Sequence, residues 1–368
     1  MEKALETAAH QPLPRAVAGV WRLCDAAANR AAEAIRVLED VARFVLDDGH
    51  LTGLAKAIRH DLTAVLAGPA FAARQALRDT PGDVGTAIAA EAALPRREAG
   101  DLVAANAARA AQALRSLQEV ALILAPEEAA RFERLRYRLY TLEKATMTAA
   151  LARERLGGVS LCVLVDGRRD AAECERLVEQ LFEAGVRMIQ LRDKQLTMPE
   201  LVERARRAVA IARRRAPGEA IVVVNDRADI AAAVGTAGVH VGAEDLAVEM
   251  ARSVVGARAL VGRTSHSFDE ARAAVLAGAD YLGVGPCFPS ATKAFNAFAP
   301  REFLTRVAHE IALPAFAIGG VTLERLDDLA ALGIRRVAVS AAVVDATDPA
   351  AAAAAFIDRL AALEPALP

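Results

Sequence analysis

The sequence is poor in aromatic residues and in cysteine. Only 4% of its 368 residues are aromatic, tryptophan occurs once, and there are four cysteines. The cysteines have no CxxC spacing, which argues against a zinc site or a disulfide framework and favours reduced thiols in a cytoplasmic protein. No apolar run reaches the roughly 18–20 residues of a membrane-spanning helix. The first residues, Met1-Glu2-Lys3, do not resemble a signal peptide.

Net charge is almost absent as well. The chain has 45 basic and 47 acidic residues, a formal net charge of −2, so no general electrostatic attraction to nucleic acid is expected. With 25% charged and 54% hydrophobic residues, the composition is that of a folded protein. The length predicts two domains, at roughly 100–200 residues per domain. We therefore expect small-molecule ligands and no nucleic-acid or membrane partner, and the composition is compatible with a homo-oligomer.

The pattern of the chain changes near Gly157-Gly158. Long helical patterns precede this point, and short apolar runs alternating with amphipathic helices follow it, as in βα units. We predict an all-α domain over residues 1–155 and an α/β domain over residues 156–368. The α/β part contains eight strand-like runs: Val159–Asp166, Arg187–Asp193, Ala220–Asp226, Gly238–Val241, Ala259–Thr264, Tyr281–Pro286, Pro314–Gly320 and Arg336–Ala342.

Eight βα units in about 210 residues predict a (β/α)8 TIM barrel. The alternative is an open doubly wound sheet, which would carry a GxGxxG turn after its first strand. The segment Asp166-Gly167-Arg168-Arg169 is not such a turn. We therefore favour the barrel.

The helical part contains an internal repeat. The segment Glu33–Asp40 realigns with Gln112–Glu119, which predicts two similar long helices. The helical period places the polar residues between Asn29 and Asp47 on one face of the first helix. It places apolar residues on another face, namely Ile35, Leu38, Ala42 and Val45. We predict a third helix over residues 127–155, leading into the barrel.

Charged and small residues cluster where the predicted strands end, which is where barrels of this type carry their chemistry. Asp226 and Asp245 follow adjacent strands and can converge on one point, where oxygen ligands suit Mg²⁺. The alternative is that they are helix N-caps. The cations Arg192, Lys194 and Lys293 would surround the same mouth. This pattern predicts a site for a polyanion.

A second anion site is predicted on the far side of the mouth. Gly319-Gly320 after strand 7 and Ser340 after strand 8 occupy the usual phosphate position of this fold. The barrel is therefore expected to bind two phosphorylated small molecules. A competing hypothesis is a sugar-phosphate isomerase or an indole-glycerol-type synthase, which would need a poised acid–base pair. His240 and His266 are more typical of packed or hydrogen-bonded histidines than of such a pair.

Six motifs in register resemble the thiamine-phosphate synthase family. They run in order through the barrel half: IQLRDK at Ile189–Lys194, NDRADIA at Asn225–Ala231, GVHVGAEDL at Gly238–Leu246, GADYLGVGP at Gly278–Pro286, SATK at Ser290–Lys293 and AIGGV at Ala317–Val321. The resemblance implies a Mg²⁺-dependent transferase. It would join hydroxymethylpyrimidine diphosphate to a thiazole phosphate, or to its carboxylated form, by a dissociative displacement of diphosphate.

The resemblance also implies roles for individual residues. The pyrimidine diphosphate would be bound by Gln190, Leu191, Arg192, Asp193, Lys194, Asn225, Thr264 and Lys293. The thiazole phosphate would be bound by Ser290, Ala291, Thr292, Gly319, Val339 and Ser340. Mg²⁺ would be bound by Asp226 and Asp245, and Lys293 and Arg192 would neutralise the leaving group.

The sequence departs from the family at several of these positions. The family usually has glutamate where Asp193 stands, serine where Thr264 stands and often threonine where Ser290 stands. These exchanges keep the functional group. Ala243 stands where glutamine is common, so any contact of that amide is lost.

The helical part resembles a second family, one often found ahead of thiamine-phosphate synthases. The motifs lie at Asp25–Asp48, Ile58–Leu62 and Arg78–Thr86. The family has been proposed to phosphorylate hydroxymethylpyrimidine phosphate, which implies the same for this domain. The sequence has no GxxxxGK[ST] loop, and the Asp79–Thr86 loop is only a weak candidate for a phosphate contact. The alternative is a non-catalytic docking or oligomerisation module.

Overall fold

The computed structural model describes residues 15–84, 95–289 and 297–363. The predicted ligands Ser290, Ala291, Thr292 and Lys293 lie outside these ranges. Contacts divide the chain into two compact units. One comprises Met1–Leu46 and Leu51–Met147, and the other comprises Asp47–His50 and Thr148–Pro368. None of the described helices is long and apolar enough to cross a membrane.

The first unit is built from long helices. They are α1 (Arg15–Asp40), α2 (Gly49–Leu66), α3 (Ala99–Leu124) and α4 (Ala129–Leu156), with short 3₁₀ turns at Pro69–Arg74 and Pro126–Glu128. The repeated segments lie on α1 and α3, which are both 26 residues long and pack against each other. The internal repeat therefore does mark two similar helices, as predicted.

A π-helical turn corrects one prediction for the first helix. Ile35, Leu38 and Ala42 are buried as expected, but Val45 is 51% exposed. Residues Val41–Val45 form the π-turn. A π-turn has more residues per turn than an α-helix, so Val45 rotates out of the apolar face that a strict 3.6-residue period predicts.

The second unit is a closed barrel of eight parallel strands in the order β1 to β8. The strands are β1 (Leu161–Val165), β2 (Met188–Leu191), β3 (Ile221–Asn225), β4 (Gly238–Val241), β5 (Leu260–Ser265), β6 (Tyr281–Val284), β7 (Ala315–Ile318) and β8 (Arg336–Val339). β8 pairs with β1, Cys162 opposite Ala338, and this closes the barrel. The predicted TIM barrel is thus confirmed. Most strands are shorter than predicted, because the polar residues at their carboxyl ends leave the ladder to form the mouth.

Helices alternate with the strands around the barrel. They are α5 (Ala171–Glu183), α6 (Met198–Arg215), α7 (Ala228–Val234), α8 (Val248–Val255), α9 (Phe268–Ala277), α10 (Arg301–Glu310), α11 (Leu326–Ala330), α12 (Ala341–Val344) and α13 (Pro349–Ala362). Inside the barrel, a core of buried apolar side chains fills the amino-terminal half; it includes Cys162, Met188, Val223, Leu260 and Phe316. This packed base leaves the carboxyl-terminal mouth as the place for polar side chains.

Candidate active site

The β2 end contributes a buried amide, an exposed cation and a loop-forming carboxylate. Gln190 is only 4% exposed and lies in register with Leu164 and Val223 on the two neighbouring strands. The Arg192 backbone amide still bonds the Val165 carbonyl at 2.8 Å, while its side chain is exposed. The β2 end therefore holds Gln190 rigidly and leaves the Arg192 guanidinium at the mouth.

The Asp193 carboxylate is occupied by backbone amides. Its two oxygens accept hydrogen bonds from the N–H groups of Gly167 (2.9 Å), Gln195 (2.7 Å) and Leu196 (3.2 Å). Burial opposes ionisation of this carboxyl, but these backbone donors outweigh it and lower the pKa. Asp193 thus joins the β1 and β2 loops, so its contribution to the mouth is loop geometry.

Asp226 and Asp245 meet at the ends of β3 and β4. Their carboxyl groups share a hydrogen bond. Asp245 Oδ2 also accepts a hydrogen bond from the Gly242 backbone amide at 2.8 Å. Asp226 has a left-handed backbone with φ +62, a conformation that aspartate tolerates better than most residues. Neither residue caps a helix, since α7 and α8 have Arg227 and Ala247 at their N-caps. The N-cap alternative is therefore wrong.

This pair carries unfavourable charge. Burial, together with the hydrogen bond and the charge of Asp245, raises the pKa of Asp226 to about 6. The pKa of Asp245 is lowered: burial opposes this, but the hydrogen bond from Asp226 and the Gly242 amide prevail. Two neighbouring carboxylates whose charges repel are a ready ligand set for a cation. Lys194 approaches this set, with Nζ 3.7 Å from Asp226 Oδ2.

The donor set fits Mg²⁺ chemically. Both groups are carboxylates, and Mg²⁺ in proteins is commonly held by one or two carboxylates together with waters and substrate phosphates. Among the described residues, no group of three or more His, Cys, Asp or Glu side chains forms a candidate metal cage. The arrangement therefore suits a cation shared with a phosphorylated ligand better than a closed structural metal site.

Arg263 on β5 supports the loop that carries Asp245. Its guanidinium donates to the Gly242 carbonyl at 2.6 Å and to the Leu246 carbonyl at 3.4 Å. Arg263 is not among the predicted site residues, because its side chain reaches back to a loop two elements earlier in the chain. Its position beside a carboxylate-bearing loop became apparent only from the fold.

A chain of three polar side chains lies under the mouth. His240 is 6% exposed, and its Nδ1 lies 3.2 Å from Tyr281 Oη while its Nε2 lies 2.9 Å from Thr264 Oγ1. Burial, and then the charges of Arg192 and Arg263, lower the His240 pKa to about 4. The imidazole is consequently neutral at physiological pH, and it contacts Thr264 directly. His240 is thus hydrogen-bonded, as the sequence predicted.

The β7 and β8 ends offer small residues and backbone. Gly319 has φ +93, and a Cβ there would lie 2.8 Å from Pro286 Cβ, so only glycine fits against the β6 loop. Val339 is buried, and Ser340 Oγ donates to the Leu164 carbonyl at 3.1 Å. The Arg325 guanidinium donates to the Gly320 carbonyl at 2.7 Å, so a cation lies beside this glycine turn.

Comparison with known proteins follows the division of the chain. Residues 161–343 match the family model "Thiamine monophosphate synthase", and residues 22–145 match the "ThiD2 family" model. A thiamine-phosphate synthase of Rhodopirellula baltica is 40% identical over 333 residues, covering 88% of each chain. Another, from Gloeobacter violaceus, is 37% identical and covers 93% of this chain and 97% of its own. The chain belongs to the thiamine-phosphate synthase family.

Membership makes the chain an enzyme of the transferase class, as the sequence predicted. Among solved structures, thiamine phosphate pyrophosphorylase from Pyrococcus furiosus is 27% identical and covers 56% of this chain and 97% of its own, with a TM-score of 0.49. Both family resemblances inferred from the motifs are confirmed by the matches.

The thiamine-phosphate synthase barrel brings together many of the predicted ligands. The β2–β5 ends place Lys194 against Asp226, Asp226 against Asp245, and Thr264 against His240. Asn225 lies opposite His240 in the β3–β4 register. The roles of these residues toward substrate, like those of Gln190, Leu191, Arg192 and Asp193, stay predictions.

A cavity lined by described residues lies elsewhere in the synthase barrel. It measures about 830 Å³ and opens at the base, where it is lined by Gly158, Arg187 and Arg336 among others. Arg187 pairs with Glu219 at 3.0 Å, and Arg336 Nε donates to the Val159 carbonyl at 3.1 Å. Barrel bases of this kind serve stability, so we assign the chemistry to the mouth.

Proposed function

We propose that the mouth of the barrel joins hydroxymethylpyrimidine diphosphate to 4-methyl-5-(2-phosphoethyl)thiazole, or to its carboxylated form. The C–O bond between the pyrimidine methylene and the diphosphate breaks, and a C–N bond to the thiazole nitrogen forms. Thiamine phosphate and diphosphate leave, together with carbon dioxide when the carboxylated thiazole is the substrate. The observation that carries this proposal is the Asp226–Asp245 carboxyl pair at the mouth, with Lys194 at 3.7 Å from Asp226.

Asp226 and Asp245 would hold Mg²⁺ together with the diphosphate. When bound, Mg²⁺ would neutralise charge that develops on the leaving diphosphate. The exposed guanidinium of Arg192 and the ammonium of Lys194 would add positive charge around the same group. Lys293 would do the same from the β6 loop. No residue is required to act as a strong base or as a covalent nucleophile.

The β7–β8 side of the mouth suits the second substrate. Gly319, Val339 and Ser340 end two adjacent strands, where the fold commonly binds a phosphate through backbone amides. Ser290, Ala291 and Thr292 would complete this subsite. The thiazole phosphate would thus be bound mainly by backbone amides, and the pyrimidine diphosphate by Mg²⁺ and basic side chains, which would distinguish the two substrates.

The neutral state of His240 argues against the alternative isomerase or synthase chemistry. Such a reaction needs a group poised to exchange a proton near neutral pH. The pKa of His240 is lowered to about 4 by burial and by two arginines. Both of its nitrogens also lie within hydrogen-bond distance of Tyr281 or Thr264, so it is poorly placed to accept a proton from a ligand.

The full chain supplied with both substrates tests the proposal. We expect thiamine phosphate and diphosphate to form in equal amounts with Mg²⁺, and product to fall to background in EDTA. Asp226→Asn should abolish product. Asp229→Asn is the matched control, since Asp229 lies three residues away and pairs with Arg227 on the surface. Full turnover in EDTA, or in Asp226→Asn, would refute the metal role.

For the helical unit we propose phosphorylation of hydroxymethylpyrimidine phosphate to the diphosphate that the barrel consumes. The supporting observation is a loop attached to α1 by two arginine–aspartate contacts. Arg78 binds the buried Asp25 through two hydrogen bonds of 2.6 and 2.9 Å, and Arg22 donates to the Asp79 carbonyl at 2.9 Å. The Asp79 side chain in turn accepts from the Gly82 amide at 2.9 Å. This anchored turn is the described part of the Asp79–Thr86 loop that the sequence predicted as a phosphate contact; residues 85 and 86 lie outside the described ranges.

A coupled assay separates this activity from the alternative of a docking or oligomerisation module. The full chain receives pyrimidine monophosphate, a nucleoside triphosphate, thiazole phosphate and Mg²⁺. Formation of thiamine phosphate at a rate that falls in Asp25→Asn supports the kinase. If product forms only when the pyrimidine diphosphate is added, the kinase proposal fails while the barrel proposal stands.

A further inference from the structure

The hydrogen-bond chain under the mouth has a direction that the burial of Tyr281 determines. Tyr281 is 2% exposed, packs edge-on against Phe316 with ring centroids 5.8 Å apart, and belongs to the apolar core of the barrel. Within the described residues, His240 Nδ1 is the one hydrogen-bond partner that Tyr281 Oη has. A buried hydroxyl hydrogen without an acceptor is unfavourable. Tyr281 therefore donates its hydrogen to His240 Nδ1.

This donation fixes the state of the imidazole. A neutral imidazole has one nitrogen that accepts and one that donates. If Nδ1 accepts from Tyr281, the proton must be on Nε2, and Nε2–H then donates to Thr264 Oγ1 across 2.9 Å. The reverse tautomer, or a charged imidazolium, would put a proton on Nδ1 facing Tyr281 Oη and leave the phenolic hydrogen without a partner.

Two strand glycines provide the space for this arrangement. A Cβ on Gly262 would lie 2.1 Å from Tyr281 Cζ and 2.5 Å from His240 Nδ1. A Cβ on Gly283 would lie 3.2 Å from His240 Cε1. Gly262 and Gly283 thus have no side chain that would occupy the space of the imidazole, and close approach of this kind is a known use of glycine in strands. His240 and Tyr281 are held in contact by the shape of the interior.

We propose that Tyr281 and His240 are positioning residues that make Thr264 a hydrogen-bond donor toward the substrate. Because Thr264 Oγ1 already accepts from Nε2–H, its own hydrogen is left to point into the mouth. It would bind an acceptor atom of the pyrimidine substrate, such as a ring nitrogen or a diphosphate oxygen. If the chain ran in the opposite direction, the Thr264 hydroxyl would donate its hydrogen to His240 Nε2 and could only accept a hydrogen bond from the substrate. The inference rests on the proposed function for the identity of the substrate, but the direction of the chain does not.

The tautomer can be measured without substrate. Nitrogen-15 spectra of the full chain with labelled histidine distinguish protonated from unprotonated ring nitrogens, and the His240 signals are those lost in His240→Gln. We expect Nε2 protonated and Nδ1 unprotonated at neutral pH. A proton on Nδ1, alone or in an imidazolium, would overturn the proposed direction. This experiment remains decisive even if the barrel has a different substrate.

Kinetics tests the consequence for the substrate. Thr264→Val should raise the KM for the pyrimidine diphosphate about tenfold, as expected for one lost hydrogen bond, while Thr264→Ser stays near wild type. Tyr281→Phe keeps the ring against Phe316 and should raise the same KM about three- to tenfold. In the double variant the two effects should not multiply, since both remove one interaction. Fully multiplicative effects would overturn the relay. Asp229→Asn serves again as the surface control.

Discussion

The two ends of the barrel satisfy their charges in opposite ways. At the base, each arginine described above already has a partner: Arg187 has Glu219, and Arg336 has a backbone carbonyl. At the mouth, Asp226 is hydrogen-bonded to another carboxyl and keeps a raised pKa of about 6. A satisfied network contributes to folding, whereas an unsatisfied one favours binding of the missing charge. The contrast places function at the mouth although a cavity of about 830 Å³ lies at the base.

The largest expected effect comes from removing one mouth carboxylate. Asp226→Asn should reduce kcat/KM for thiamine phosphate formation about a thousandfold or more, because stabilisation of the leaving group is lost. The same change relieves repulsion within the pair, so the metal-free variant should melt no lower than the wild type. Steady-state kinetics and thermal unfolding in EDTA measure the two outcomes. A variant that is both active and less stable would mean that the mouth, like the base, serves the fold.

The next effect compares two arginines that both bond backbone carbonyls. Arg263→Met removes the support of the Asp245 loop and should weaken Mg²⁺ binding about ten- to a hundredfold, as for other residues that orient metal ligands. Arg336→Met at the base should leave Mg²⁺ affinity unchanged and lower the melting temperature. Calorimetric titration with Mg²⁺ and diphosphate measures the affinity. Equal effects of the two changes on affinity would abolish the distinction between the ends.

The sequence predicts those residues of the mouth whose position depends only on their distance along the chain from a strand end. The strand-end rule located Asp226, Asp245 and Lys194 because each lies within four residues of the end of its strand. The role of Arg263 was missed, since it depends on a side chain crossing from β5 to the β4 loop.

Side-chain conformation accounts for two further differences. Asp193 carries the charge expected of a ligand, but its oxygens are turned to three loop amides. The periodicity of α1 failed only at Val45, where a π-turn changes the number of residues per turn. Neither the orientation of a carboxylate nor a single π-turn leaves a clear mark in the pattern of apolar residues.

The pH dependence of unfolding tests whether the buried His240 imidazole below the mouth destabilises the folded chain at acidic pH. The pKa of His240 is about 4 in the folded chain, below its ordinary value of 6.5. Between these values the unfolded chain binds a proton that the folded chain does not, so the free energy of unfolding should fall as the pH drops from 6.5 to 4. His240→Gln should flatten this part of the curve, and the exposed His309→Gln should not. An unchanged slope in His240→Gln would show that the buried imidazole is not responsible.

The smallest effect is expected at the base. The Arg187–Glu219 pair is 3.0 Å long, with side chains 47% and 61% exposed, and exposed pairs of this kind contribute at most about 1 kcal/mol. Arg187→Gln should therefore lower the free energy of unfolding in urea by less than about 1 kcal/mol and leave kcat/KM unchanged. A clear loss of activity would contradict the assignment of the base to stability alone. Such a loss would have to be indirect, because the packed core that contains Met188 and Phe316 keeps substrate away from this pair. It would mean that the base affects the conformation of the mouth.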